Sequence, residues 1–338
     1  MGYELGILDQ SPIFPGKHAT DAFKSTIELA KDAEDWGYKR FWVSEHHHMK
    51  NVAGSSPEIM IAHLLAQTEN INIGSGGVML QHYSPYKVTE NFYVLSSLAP
   101  GRVDLGIGKA PGGFDLSTKA LQYGTLNNGS DFNERYTFVK QLIDEEIPKG
   151  HPLEGIKVMP EPIIKPDVFL LGGSANSAEL AAKLQTHFVF ARFLNSDDEA
   201  LKAASQTYRN MYPEGKLIVA VAVLAADSNK EADDLAKELK LYQVIFEKGR
   251  KLLVQSAEQV NALKRQTTES FEVIEKEVAI IKGTSEKIKS ELDFLHKTYD
   301  IDEFILHTPL QKEDERKKSF KLLRPNRIGN NNRKQVSN

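Results

Sequence analysis

The chain has 338 residues, 41% of them hydrophobic, with 42 basic side chains against 46 acidic ones. That length can bury one large core or two smaller ones, and the near-balanced charge calls for neither nucleic acid nor an anionic membrane as partner. There is no cysteine, which excludes disulfides, a thiolate nucleophile and Cys-ligated zinc. Taken in chain order, short apolar runs at 4–8, 40–44, 72–75, 103–107, 168–171, 188–191, 217–224 and 303–306 read as strands. Amphipathic stretches near 20–36, 57–69, 85–98, 132–146, 175–185, 197–211, 229–278 (as a broken helical region) and 285–298 separate them, and a last helix near 311–323 follows strand eight. The N-terminus lacks the basic and long apolar regions of a signal peptide, and no apolar run reaches spanning length, so a cytoplasmic protein is expected.

Alternation of strand and helix implies a parallel sheet. Eight such units in about 320 residues match an α/β TIM (β/α)8 barrel with insertions after strands 4 and 7. A doubly wound open sheet is the runner-up, but it usually carries a dinucleotide fingerprint near its start, and strand one leads instead into Asp9-Gln10-Ser11-Pro12. The expected organisation is a single domain over 1–324, with an insertion at 227–283, followed by a basic polar tail at 325–338. From Arg316 onward there are eight Lys or Arg and no acidic residue, as in a solvated tail. Two connections are long. The 109–130 segment is rich in Gly, Pro, Asn and Ser, and 227–283 is charged and helical in period. Both follow strand C-termini, the face where barrels of this kind build active sites. Residues 150–166, with Pro152, Pro160, Pro162 and Pro166, form an extended hairpin or loop.

Several strand ends carry chemistry. Strand three ends in Gly74-Ser75-Gly76-Gly77 and strand four in Gly106-Ile107-Gly108-Lys109; glycine lets a flat ligand approach the backbone. Strand two runs Phe41-Trp42-Val43-Ser44-Glu45-His46-His47-His48. A histidine at a barrel mouth can move protons near neutral pH, and Glu45 can orient a neighbouring imidazole. Three consecutive histidines point in different directions and no second ligand cluster exists, so no metal site is expected. Strand five ends in Gly172-Gly173-Ser174-Ala175-Asn176-Ser177 and opens a helix. Its N–H groups and dipole suit a phosphate, Ser174 and Ser177 share one turn, and Lys109 supplies a countercharge. An ordinary helix cap is the plainer reading of the same residues.

Together the segments Ser44-Glu45-His46-His47-His48, Ser55 to His63, Gly74 to Leu80, Ser84-Pro85, Pro100 to Pro111, Leu171 to Ser174 and Lys282 to Lys289 resemble bacterial luciferase-like flavin monooxygenases. The resemblance implies a TIM barrel, usually dimeric, that takes reduced FMN from a separate flavin reductase and uses O2 to oxygenate a small organic molecule, an aldehyde or related carbonyl compound. Some relatives use the deazaflavin F420 for hydride transfer, and a non-catalytic flavin-binding barrel is the other alternative. A sugar-phosphate barrel enzyme would use the same phosphate site for its substrate. By resemblance His46 is the catalytic histidine, Gly76-Gly77 is a non-prolyl cis peptide under the flavin ring, and Ser174 and Ser177 contact the phosphate. Lys109 stands where the family commonly has arginine, which keeps the charge and loses the bidentate grip. Gly173 stands where the family carries a charged residue before the phosphate serine. The apolar positions of 57–69 serve as core or as dimer interface.

Overall fold

A computed structural model describes residues 2–125, 130–247, 249, 251–254, 256–267, 269–276 and 279–325. In chain order these form β1 (Glu4–Asp9), α1 (Ala19–Trp36), β2 (Arg40–Val43), α2 (Pro57–Leu65), β3 (Asn72–Ser75), β4 (Val78–Met79), α3 (Pro85–Leu98) and β5 (Val103–Gly108). Then come α4 (Asp115–Leu121), α5 (Phe132–Asp144), β6 (Asp167–Gly172), α6 (Ala175–Lys183), β7 (His187–Ala191), α7 (Asp198–Met211) and β8 (Leu217–Ala225). The rest is α8 (Asn229–Lys237), β9 (Leu241–Phe246), β10 (Lys251–Val254), α9 (Ala257–Gln266), β11 (Phe271–Lys276), β12 (Ile281–Gly283), α10 (Ser285–Tyr299), β13 (Glu303–His307) and α11 (Glu313–Leu323). None of the described helices is long and apolar enough to cross a membrane. The tail from 326 onward lies outside the described residues.

Eight parallel strands close on themselves in the order β1-β2-β3-β5-β6-β7-β8-β13, with β13 pairing back onto β1. The fold is the TIM barrel, with its long excursions after the fourth and seventh barrel strands, β5 and β8. Strand residues alternate between two cores, as the pleat requires. Ile7, Phe41, Ile73, Leu105, Leu170 and Phe188 face outward into the large cluster shared with the helices. Leu8, Trp42, Phe169, Val189, Ile218, Ala220 and Ile305 fill the barrel interior. Local signals set the helix ends: Ser84 caps α3 with Pro85 at its first position, and Gly37 closes α1 in the left-handed region at φ 84°, where glycine has no Cβ penalty.

The interior floor, at the strands' N-terminal ends, is charged. Arg40 reaches Asp104 at 2.6 Å and Glu303 at 2.7 Å, all three fully or nearly fully buried. Trp42 Nε1 donates to the same Asp104 oxygen at 2.8 Å, and the guanidinium lies 5.0 Å from the Phe169 ring. Burial pushes the Glu303 carboxyl upward despite Arg40. That shift matches its second oxygen, which has no hydrogen-bond partner among the described residues, because a neutral carboxylic acid makes the smaller demand on a dry site.

The excursion after β8 departs from the helical reading of 229–278. Among its described residues only α8 and α9 are helical; β9 pairs antiparallel with both β10 and β11 to make a small three-stranded sheet. The physical reason is visible in Leu241-Tyr242-Gln243-Val244-Ile245-Phe246 and Phe271-Glu272-Val273-Ile274-Glu275-Lys276. These are β-branched and aromatic residues with period-two alternation, and the high charge of the flanking residues disguises them. Val244, Phe246, Val254, Val260 and Leu263 form the insertion's core, and Phe114 from the connection after β5 completes it. The two excursions therefore join at the barrel's C-terminal mouth. The 109–130 segment, a long connection rich in Gly, Pro, Asn and Ser, includes the short helix α4. Residues 150–166 are loop and turn, with a cis Met159–Pro160 bond.

Candidate active site at the barrel mouth

Every residue singled out from the sequence lies at the C-terminal end of a barrel strand: His46 after β2, Gly76 and Gly77 after β3, Lys109 after β5, and Gly173, Ser174 and Ser177 after β6. Because β2, β3, β5 and β6 are successive neighbours in the barrel, these ends form one continuous arc of the rim.

The arc's wall is backbone. The Gly76–Gly77 peptide is cis. A Cβ on Gly77 would stand 2.7 Å from the Gly106 carbonyl oxygen, and one on Gly106 would overlap the Ser75 carbonyl oxygen. Only glycine permits this approach of β3 to β5. The result is close backbone contact between the two strand ends, pinned by Ser75 Oγ, which donates to the Gly106 carbonyl at 2.8 Å and accepts its N–H at 3.1 Å. Past the cis bond, β4 resumes pairing beside β5 through Val78 and Ile107.

His46 is half-buried. Its backbone N–H donates to the Gly54 carbonyl at 2.8 Å, and its Nδ1 lies 3.0 Å from Ser44 Oγ. Nε2 is thus the ring nitrogen available to a ligand. Desolvation, reinforced by His47, pushes its pKa down to about 4 against the opposing pull of Glu45. The imidazole is neutral at physiological pH. The carboxylate orients a different ring: Glu45 Oε1 accepts from His47 Nε2 and the Tyr83 hydroxyl, each at 2.7 Å, and Oε2 accepts the Met79 N–H at 2.9 Å. Glu45 clamps the loops around the mouth, and Ser44 is the group that orients His46.

Ser174 caps α6. Its Oγ accepts the Ser177 N–H at 3.3 Å and lies 3.2 Å from Ser177 Oγ. A Cβ on Gly172 would overlap Ser177, so glycine is what lets the first turn of α6 fold back against its strand. Asn195 Nδ2 fixes the Gly173 carbonyl at 2.9 Å. The register Gly108↔Leu171 between β5 and β6 sets Lys109 alongside the Gly172–Gly173 turn. The Lys109 side chain is exposed, with its ammonium 6.0 Å from the Phe132 ring centroid. Two adjacent hydroxyls, a nine-residue helix N-terminus and a nearby cation suit a phosphate. The glycine wall suits a planar ring.

Sequence reasoning missed the far side of the rim. His307 ends the eighth barrel strand and is 7% exposed, its ring 5.7 Å from that of Phe193. The signal that finds it is the alternation Glu303, Ile305, His307, in which the first two already point inward.

The family model for luciferase-like monooxygenases matches residues 3–298, and the chain belongs to that family. It is 43% identical over 322 residues to the N-acetyl-S-alkylcysteine monooxygenase of Bacillus subtilis (strain 168), covering 94% of this chain and 96% of that protein. Among solved structures, apo-MsnO8 superposes with a TM-score of 0.76 at 28% identity, covering 95% of this chain and 97% of that one. The FMN complex of the oxygenating constituent of 3,6-diketocamphane monooxygenase from Pseudomonas putida shares the fold. Its TM-score is 0.69 at 18% identity, with 96% and 97% coverage.

Proposed function

We propose that this chain is a flavin-dependent monooxygenase that uses reduced FMN and O2 to oxygenate a small organic molecule. The observation that carries the reading is the shared rim of His46, the Gly76–Gly77 wall and the Ser174–Ser177 helix cap. When bound there, reduced FMN would supply two electrons to O2, so that one oxygen atom enters the substrate and the other leaves as water. The chain's own work is to bind, orient and shield. Gly76, Gly77, Gly106 and Gly108 give the ring a backbone surface. Ser174, Ser177, the Gly173 turn and Lys109 hold the phosphate. The joined excursions around Phe114 exclude water from the mouth. A neutral imidazole has one N–H and one lone pair, so His46 can take a proton at Nε2 while Nδ1 exchanges one with Ser44 Oγ.

The B. subtilis relative's name favours an N-acylated thioether as substrate over the carbonyl compound suggested by the family resemblance. We place the enzyme in the cytoplasm, served by a separate flavin reductase and paired as a homodimer. Ile59, 74% exposed on α2, and Leu98, 69% exposed on α3, support the pairing. The test is turnover of N-acetyl-S-methylcysteine with FMN, a generic flavin reductase and isotopically labelled O2. Label in the product supports oxygenation. An oxidised product without label, or turnover with F420 alone, would replace this reading with hydride transfer. Flavin binding without turnover would leave a storage barrel.

A further inference from the structure

His307 is the last residue of β13, paired in register with Ala222 of β8. It continues the inward series of Glu303 and Ile305, one layer above Ile305, which packs in the interior core. The ring lies beside Phe193, itself packed against that interior core. The Leu8 backbone carbonyl engages the ring, while its buried Nδ1 has no hydrogen-bond partner among the described residues. Nearby charges are already engaged. Asp9 accepts from the Arg316 guanidinium at 2.6 Å, from Thr26 Oγ1 at 2.5 Å and from the Ser11 N–H at 3.2 Å. A buried polar atom that the fold leaves unpaired is costly unless something else completes it. At a barrel mouth that something is a ligand group.

We propose that His307 contacts the substrate and selects for an uncharged hydrogen-bonding group on it, specifically the amide of an N-acylated small molecule. This rests on the monooxygenase reading and names the substrate feature that the same site recognises. The ring is uncharged: desolvation, with Arg316 adding to it, pushes its pKa down to about 4. A buried carboxylate set against a neutral imidazole would lack a countercharge, since Arg316 is committed to Asp9. With the neutral ring donating to the Leu8 carbonyl, Nδ1 is the acceptor, and the N–H of an amide is the donor that meets it. Phe193 and Ala222 offer an apolar surface beside it for the acyl methyl.

The experiment pairs N-acetyl-S-methylcysteine with the analogue in which hydrogen replaces the acetamido group. Imidazole nitrogen NMR of histidine-labelled protein reads binding without turnover. The amide ligand should shift a resonance that disappears in His307→Leu, and the analogue should not. In kinetics, the preference for the amide substrate, as a ratio of kcat/KM values, should fall about tenfold in His307→Leu through KM, the scale of one lost neutral hydrogen bond. His307→Gln, which keeps donor and acceptor, should restore most of it, and serves if the leucine variant does not fold. A ratio that is the same in wild type and both variants overturns the proposal, as does an amide-induced shift that survives loss of His307. A His307 shift without label in the product sinks the monooxygenase reading and leaves the amide contact standing. Labelled product with an unaltered ratio does the reverse.

Discussion

The floor and the mouth of this barrel are built from the same strands and obey opposite rules. At the floor Arg40, Asp104, Glu303 and Trp42 answer one another within the protein. At the mouth, six residues further along β13 and its neighbours at most, side chains shrink to glycine and alanine, and His46 and His307 keep a ring nitrogen without a protein partner among the described residues. The floor's charges are answered within the protein, with one Glu303 oxygen left over, and its worth is structural. The mouth keeps ring nitrogens of His46 and His307 unspent, where a ligand can complete them. Position along a strand thus separates stability from chemistry, as expected for this fold.

The most severe test of that contrast is Arg40→Met. It leaves the buried Asp104 and Glu303 carboxyl groups without their cation, and removing one partner of such a cluster costs about 3–5 kcal/mol. A large loss of stability in chemical denaturation is expected; a near-neutral effect would show that the floor is not a coupled unit. His46→Ala should do the opposite. Oxygenation should drop by roughly a hundredfold or more, the scale of a lost proton-handling group, while the denaturation midpoint barely moves. A comparable loss of stability in that variant would erase the distinction between the two ends.

The pH dependence sharpens it further. Burial holds His46 and His307 unprotonated down to about 4, against an ordinary value of 6.5. Between those values the unfolded chain binds more protons than the folded one, so stability falls as pH drops through that window. Above it the two rings are neutral in both states and contribute no slope. Thermal unfolding across the window should show a shallower decline in His307→Gln than in wild type. The smallest expected effect is at Lys109. Arginine there should tighten FMN severalfold through bidentate contact, read by flavin fluorescence titration, and alanine should weaken it. No response to either change would remove Lys109 from the phosphate site.

Much of this was legible one element at a time. The apolar run at 103–107 and the Gly-Lys that follows it mark a strand and its end, because period and turn chemistry are local. Ser174 is recognisable as a cap from three residues of context. The insertion's sheet was not legible: β9 and β11 pair across the intervening residues 247–270, and helical period in the charged flanks outweighed a weak alternation. Nor could Glu45 be assigned to His47 rather than His46, since adjacent side chains leave a loop in directions set by its tertiary path.

By itself the sequence determined the order and number of the βα units and which strand ends bear glycine, histidine and serine, because those follow from periodicity and covalent adjacency. Only the closed barrel decided that β13 meets β1. That closure carries His307 to the same rim as His46 and seats Phe114 in the core of a distant insertion. Pairing between residues far apart in the chain depends on the sum of packing over the whole core, and no local stretch of sequence encodes it.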